Sequence, residues 1–597
     1  MVDTLTWVLV GIAIYWLGVV GLRRLDLLPK SVGTQGPILT LHTKRGRAFL
    51  NWLAGPRRFW RAWANVGVGI SLVVMLGAFL VLLTSAISSI QNPQPTAVNQ
   101  PKNVLVIPGV NDFLPLAAAP EIVFGLAVGL IVHEGGHGLL CRVEDIDIKS
   151  MGLVFLAILP IGAFVEPDEE SRAAADRGAQ TRMFAAGVTN NFAITVIAFA
   201  LLFGPVIGSI GVAPGAPIRA TLPGSAADDA GIGSGDRITA LDGQPIANAS
   251  DLDAALEANR NRTVDVELND GPETTTVTRS VLVTVSVSGG PADLPAGSTI
   301  THVNDSRVYT SSGFVDALEN TSGMASIRTE DGTNLTTPAG AYVGVLKNEP
   351  LAKSGAPTDP DADVVLTGFD GERVTSYEDL VDALEPTEPG QRVSVTIYVD
   401  GERQTYDVTM GSRQGDEGGF LGIRARATGV TGLTVSDFGI RRYPSDRYLA
   451  ALGGADDEDG FGPMISTFVG KVFVVLLLPI ASLVFQGLYN FAGFTPDVVN
   501  FFVVEGGPFS FLGGGVFLLA NLLFWTGWIN VQLGFFNCIP AFPLDGGHIL
   551  RLSTEGVLSR LPIPTTRRAV RVVTTTIGVT MLISFLLMVF GPQLIAG

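Results

Sequence analysis

Five consecutive residues carry the chemistry of this chain: His133-Glu134-Gly135-Gly136-His137. On a helix, residues four apart share a face. Two imidazoles can therefore reach one zinc ion while the glutamate between them holds a water beside it. The pair takes two of the chain's five histidines and follows the apolar run Ile122–Val132. A charge inside a membrane costs roughly 2.5–3.5 kcal/mol on insertion scales and usually marks function. The motif begins 13 residues after Pro120, roughly 20 Å along a helix, so the site is expected within the membrane, nearer the cytoplasm. A catalytic zinc takes three protein ligands and leaves one position for water. The best third ligand is Asp545, in Asn537-Cys-Ile-Pro-Ala-Phe-Pro-Leu-Asp545-Gly-Gly547. Two prolines unwind that stretch at the end of an apolar segment, which membrane depth tolerates only against protein or a polar cavity.

Membrane helices must position these groups. The 597 residues are 47% hydrophobic and 16% charged, with a mean hydropathy of +0.39, unlike an ordinary soluble multidomain protein. A span needs about 20 apolar residues. Candidates are Leu5–Leu22, Val66–Ile87, Leu114–Leu140, Phe184–Ile210, Thr467–Tyr489, Gly513–Phe536 and Val570–Phe590. The loop Arg23–Arg61 is rich in Lys and Arg and is therefore read as cytoplasmic. The segment between the fourth and fifth candidates is then extracytoplasmic. One step does not close: two simple spans after that segment put the basic loop Arg560–Arg571 outside. Either Pro479 splits Thr467–Tyr489 into a hairpin, or Val498–Val504 adds a partial span.

The charge is uneven. Between Ser209 and Gly460 lie 39 of the 56 acidic residues but only 18 of the 39 basic ones. The net charge of −17 excludes nucleic acid as an expected partner, and an acidic, lysine-poor surface suits high salt. Two cysteines, Cys141 and Cys538, make no disulfide scaffold and are read as packing residues. Within the acidic block three stretches repeat. Each reads as a strand, a tight turn (Asp242-Gly243, Asn304-Asp305 or Asp370-Gly371), a short strand and a helix ending at Leu256, Leu318 or Leu384. These resemble PDZ modules, the first most closely, with Pro223-Gly-Ser-Ala-Ala upstream and Gly231-Ile-Gly-Ser-Gly-Asp236 before its strand. The leucines are 62 and 66 residues apart, short for complete modules, so the middle one is read as truncated or interleaved. The divisions expected are 1–113, two extra spans and a basic loop; 114–211, the first half of the catalytic core; 212–290, 291–335 and 336–428, PDZ-like; 429–464, a linker; and 465–597, the C-terminal spans.

His133–His137 together with Asn537, Pro540 and Leu544-Asp545-Gly546 resembles the site-2 protease family of intramembrane metalloproteases. Leu159-Pro-Ile-Gly-Ala-Phe-Val-Glu-Pro-Asp168 resembles the family's membrane-associated hairpin, and Ala185-Ala-Gly-Val-Thr-Asn-Asn-Phe192 its next core span. Ala163 and Val188 depart from the glycine and proline that many members carry there. The resemblance implies a multi-pass α-helical membrane protein with an inserted α+β PDZ-like tandem. It implies zinc on His133, His137 and Asp545, with Glu134 as general base. Asn537 would hydrogen-bond substrate or simply break a helix; Asn191 would contact substrate or join two helices. The implied activity is cleavage of single-span membrane proteins, already trimmed outside, with the PDZ-like modules limiting access. The expected location is the cell membrane. The competing reading is a PDZ scaffold or chaperone with a dead site, against which the intact His133, Glu134, His137 and Asp545 speak.

Overall fold

The computed structural model describes residues 4–596 apart from 26–28, 30–31, 36–37, 44, 94–99, 101–102, 104–106, 112, 157–158, 322, 413–417, 454–461, 486 and 563–565. It divides into two compact units, Met1–Val212 with Asp446–Gly597, and Ala213–Ser445.

In the first unit, helix α1 (Thr4–Arg24) precedes a hairpin of β1 (Val32–Gln35) and β2 (Ile38–His42). Helices α2 (Arg45–Leu53), α3 (Arg57–Gln91) and α4 (Ala119–Val143) follow. Next come β3 (Ile148–Leu156), β4 (Leu159–Pro167) and α5 (Arg177–Leu201). The four strands form one antiparallel sheet in the order β1-β2-β3-β4, with Leu39 opposite Phe155 and Leu153 opposite Ala163. The tip of the β3–β4 hairpin, 157–158, lies outside the described residues. After the acidic block come α6 (Phe468–Leu477), α7 (Gly515–Asn537), α8 (Asp545–Leu558) and α9 (Arg567–Ala596).

Among the described residues, five helical segments are long and apolar enough to cross a membrane: Arg57–Gln91, Leu116–Val143, Arg177–Ser209, Gly515–Asn537 and Arg567–Ile595. The expected span Leu5–Leu22 falls on α1, whose first side chains lie outside the described residues. The expected span Thr467–Tyr489 is corrected. Helix α6 is only 10 residues long and runs into a 3₁₀ turn at Leu478–Ile480. Pro479 has no N–H to continue the ladder. The end of α6 and the irregular chain beyond Pro479 are held by polar groups on neighbouring α7, as backbone groups without a ladder partner in an apolar setting require. Trp528 Nε1 donates to the Leu476 carbonyl at 3.1 Å, Trp525 Nε1 to that of Ala492 at 3.1 Å, and Asn521 Oδ1 accepts from Phe494 N–H at 2.7 Å. Nor is Val498–Val504 a partial span: Phe502–Val504 is a strand paired with Ile210–Val212.

The second unit holds three β-sheets, each built on one of the sequence repeats. The strands are β5 (Ala216–Thr221), β6 (Arg237–Leu241), β7 (Thr263–Leu268) and β8 (Thr274–Thr278); β9 (Val281–Ser286), β10 (Thr299–Val303), β11 (Met324–Thr329) and β12 (Asn334–Pro338); and β13 (Ala341–Val345), β14 (Val364–Phe369), β15 (Arg392–Val399) and β16 (Glu402–Thr409). Three short strands close the series: β17 (Ile423–Ala425), β18 (Leu433–Ser436) and β19 (Ile440–Arg442). The sheet orders are β8-β7-β6-β5-β19, β12-β11-β10-β9-β18 and β16-β15-β14-β13-β17. The chain therefore lays down three incomplete modules on its way out and closes them in reverse order on its way back. Of the two alternatives for the middle repeat, interleaving is the one found, since its sheet is completed by Leu433–Ser436. One expectation is corrected: 429–464 is no plain linker, because it supplies the closing strands of two modules. The returning residues also enter the cores. Leu421 is buried in the third module, Val430 and Leu433 in the second, and Phe438 in the first. Each module's helix has a side-chain cap at its start. Asn248 accepts from Asp251 N–H, Thr310 from Gly313 N–H and Ser376 from Asp379 N–H.

Candidate metal centre

Helix α4 carries the histidines because its glycines let neighbouring helices close on it. A Cβ on Gly136 would stand 2.8 Å from the Ala186 carbonyl oxygen of α5, so only glycine permits that approach. Helix α8 begins at Asp545, directly after the proline-rich turn that leaves α7. Three groups from two distant parts of the sequence meet there. His133 Nε2 lies 3.1 Å and His137 Nε2 3.2 Å from the same oxygen, Asp545 Oδ2. The two Nε2 atoms are 3.2 Å apart. Both histidines are buried, and their rings stand nearly perpendicular, at 85°.

The far nitrogens have partners that leave Nε2 free. His137 Nδ1 is 2.8 Å from the Met183 carbonyl oxygen, which can only accept, so Nδ1 carries the proton and Nε2 the lone pair. His133 Nδ1 faces the side-chain amide of Asn191 at 3.2 Å. Nitrogen and oxygen of an amide are assigned from the hydrogen-bond network. With Nδ2 toward the ring, Asn191 Oδ1 is buried without a partner. With Oδ1 toward the ring, His133 Nδ1–H has its acceptor and Nε2 again keeps its lone pair. Gly187 supplies the room, since a Cβ there would stand 2.6 Å from His137 Nε2 and 2.8 Å from His133 Cε1. Glu134, on the next position of α4, accepts a hydrogen bond from Val165 N–H of β4 at 2.9 Å.

The sequence profile of peptidase family M50 matches residues 121–585. The chain belongs to peptidase family M50, the site-2 protease family. Among its relatives, a protein of Neisseria meningitidis provisionally named a zinc metalloprotease is 23% identical over 480 residues, 73% of this chain and 90% of that one. An uncharacterised protein of Methanocaldococcus jannaschii is 28% identical over 203 residues, 34% of this chain. The chain spans about half, 52%, of that relative's length. A protein of Pseudomonas putida named as a DegP-like periplasmic serine endoprotease is 30% identical over 145 residues, 23% of this chain and 29% of its own.

Membership of M50 implies zinc, and the residues fit it. Tetrahedral zinc with bonds of about 2.0–2.1 Å to nitrogen and oxygen sets its ligands roughly 3.3–3.4 Å apart, close to the 3.1–3.2 Å sides of this triangle. Two neutral imidazoles and one carboxylate are also a donor set that zinc takes in hydrolases. His133, His137 and Asp545 are the group of potential metal ligands among the described residues that lies in the membrane unit with its ligand atoms within 4.8 Å of one another.

The other sequence-predicted residues fall as follows. Asn191 is fully buried, and its contact is with the metal ligand His133. Asn537 ends α7 with Nδ2 donating to the Leu533 carbonyl at 3.0 Å. Cys141 and Cys538 are buried. His548 stacks on Phe184, ring centres 4.3 Å apart. Sequence reasoning missed three contributors: the Met183 carbonyl, Val165 N–H and Gly187. Two are backbone groups, which residue type does not advertise. Gly187 lies in the family-like stretch Ala185–Phe192, where nothing in the sequence gives it a task.

Proposed function

We propose that this M50 peptidase hydrolyses peptide bonds within the membrane-spanning segments of other membrane proteins. The observation that carries the reading is the triangle of the buried His133 and His137 with Asp545, Glu134 beside it, the histidines on a helix long and apolar enough to cross a bilayer. When bound, zinc would polarise the scissile carbonyl and lower the pKa of water, as it does in hydrolases generally. Glu134 takes a proton from the attacking water and delivers it to the nitrogen of the departing amine. Met183 and Asn191 keep the imidazoles neutral and aimed. The carbonyl of a helical peptide bond is already hydrogen-bonded, so the substrate must unwind first. Among the described residues strand β4 pairs only with β3, and Val165 on it reaches Glu134. Its other edge can hold an extended substrate strand by main-chain hydrogen bonds.

The three modules of the second unit are read as PDZ-like, since each packs a six-stranded antiparallel sheet against a capped helix that follows its tight turn. They would restrict access to substrates already trimmed outside. Sidedness is supported by charge. With Phe468–Val484 too short to cross, α7 is the one candidate span among the described residues between the acidic unit and Arg560–Arg571. That basic loop then falls on the same side as Arg23–Arg61, as the positive-inside rule asks.

The test is Glu134→Gln in cells producing the full chain. The variant keeps about one zinc per chain, while new protein termini within membrane spans, mapped by mass spectrometry, disappear. A scaffold or chaperone would instead keep its cellular phenotype with Glu134→Gln, and wild type would generate no such termini.

A further inference from the structure

The second unit carries a pattern that neither the metal centre nor the PDZ-like modules use. Five of its eight asparagines open an Asn-x-Ser/Thr triplet: Asn248-Ala-Ser250, Asn261-Arg-Thr263, Asn304-Asp-Ser306, Asn320-Thr-Ser322 and Asn334-Leu-Thr336. Ser and Thr are 44 of the residues 213–445, so chance would complete the triplet at one or two of the eight. The other 13 asparagines, all in the membrane unit, complete none. On a surface outside the cytoplasm, this triplet is the acceptor for N-linked sugar.

The fold leaves four of the five ready for it. In the triplets of Asn248, Asn261, Asn304 and Asn334, the asparagine and the hydroxyl residue are both exposed. Where a backbone N–H binds the amide, it binds the oxygen. Asn248 Oδ1 caps its helix by accepting from Asp251 N–H at 2.9 Å, and Asn304 Oδ1 accepts from Ser326 N–H at 2.9 Å. Sugar is attached at Nδ2, so both bonds survive the modification. Asn261 is the most open. It lies in the loop between the first module's helix and β7, and only its backbone N–H is engaged, donating to Asn259 Oδ1 at 2.9 Å. Asn334 begins β12, the outer strand of its sheet, where bulk would block pairing with another chain. Asn320 is different, because its Nδ2 already donates to the Asp316 carbonyl at 2.8 Å, and Ser322 lies outside the described residues. The third module has only Asn348, followed by Glu and Pro, and completes no triplet.

We propose that the first two modules carry N-linked sugar at Asn261 and, by the same exposure, at Asn248, Asn304 and Asn334, while the third module stays bare. The donor class is a lipid-linked glycosyl phosphate. Transfer forms a bond from Nδ2 to the anomeric carbon of the sugar and breaks that carbon's bond to a phosphate oxygen. The phosphate leaves with the electron pair, and the amide gives one proton to a base of the transferase. The modification needs the second unit outside the cytoplasm, as proposed above from charge, and is independent of the proteolytic reading.

The experiment takes the full chain from membranes of the cells that naturally produce it. Its peptides are weighed by mass spectrometry before and after sugar is stripped with trifluoromethanesulfonic acid. The Asn261 peptide should carry sugar mass that the acid removes, and the peptide of Asn348, exposed but outside any triplet, should carry none. Asn261→Gln should lose that mass. Thr263→Val should lose it too, although the asparagine remains and valine suits a strand, whereas Thr263→Ser should keep it. A bare Asn261 in wild type, or sugar there that survives Thr263→Val, overturns the proposal. Labelling of Glu273→Cys by an impermeant maleimide in intact cells separates the two ways to fail. A labelled unit with bare triplets removes the sugar alone; an unlabelled one removes the sidedness, and the sugar with it.

Discussion

His133 and His137 sit on one helix face but are held by different kinds of group, and the difference can be measured. The partner of His137 Nδ1 is the Met183 carbonyl, which no side-chain substitution removes. The partner of His133 is the Asn191 amide, which one substitution does. Groups that orient metal-bound histidines typically contribute 10–100-fold in affinity. Asn191→Leu should therefore weaken zinc binding by about that factor, with the chain still folded. Asp545→Ala should lower the zinc content far below one per chain. A chelator titration of the full-length variants checks both. Undiminished affinity in Asn191→Leu would mean that the ring holds its tautomer without the amide. At this scale much was legible in the sequence. A histidine pair four apart announces itself, and an aspartate after two prolines in an apolar run needs a cationic partner to be there at all. The bonds that fix the tautomers were not legible, because one ends on a backbone carbonyl and the other depends on which way a buried amide faces.

The elements show where the sequence pattern stopped short. Three helix ends and three tight turns were readable in the acidic block, since Asp242, Asn304 and Asp370 all adopt positive φ in the Asp-Gly or Asn-Asp pairs that such turns favour. Nesting was not readable. Strands of three or four residues, such as β18 and β19, are too short to show alternation, and nothing local says which of three similar sheet edges each will join. A buried ion pair fixes one of those choices. Arg279, at the passage from first to second module, is almost fully buried and bonds Asp437, which lies between the returning strands β18 and β19. The Asp437 carboxylate also accepts from Ser311 N–H at 2.9 Å, at the start of the second module's helix. The Arg279 guanidinium donates to the Leu256 carbonyl at 2.8 Å, at the end of the first module's helix. Removing one partner of such a pair leaves a buried charge and typically costs about 3–5 kcal/mol. Asp437→Ala should therefore raise amide hydrogen exchange in β5–β8 and β9–β12 while β13–β16, closed by β17 alone, stays protected. The double change Arg279→Met with Asp437→Leu should recover most of the loss, because an apolar pair of similar volume is often as stable. Uniform loosening of all three modules would mean that they unfold as one body rather than through their separate closures.

For the whole molecule, the span count decides where everything else is. Arg57 pairs with Asp145 at 2.8 Å and Arg61 with Glu144 at 3.2 Å, so the start of α3 and the end of α4 lie side by side. The exposed Arg57–Asp145 pair adds little stability, but together the two pairs set a level: on the proposed orientation the basic loop before α3 and the histidine-bearing end of α4 share a side. Helix α5 then leaves that side and α7 returns to it, provided that Phe468–Val484 does not cross. Had it crossed, α8 would begin on the opposite side and Asp545 could not meet His133 and His137, which also lie toward the end of α4. The metal triangle and the positive-inside rule therefore demand the same topology for independent reasons. Single cysteines at exposed positions test it, in a chain whose native Cys141 and Cys538 are both buried. In intact cells a membrane-impermeant maleimide should label Glu273→Cys in the acidic unit and spare Asn51→Cys and Ser559→Cys; permeabilised cells should show all three labelled. Labelling of Ser559→Cys in intact cells would put a crossing back into Phe468–Val484 and break the agreement between charge and geometry on which the orientation rests.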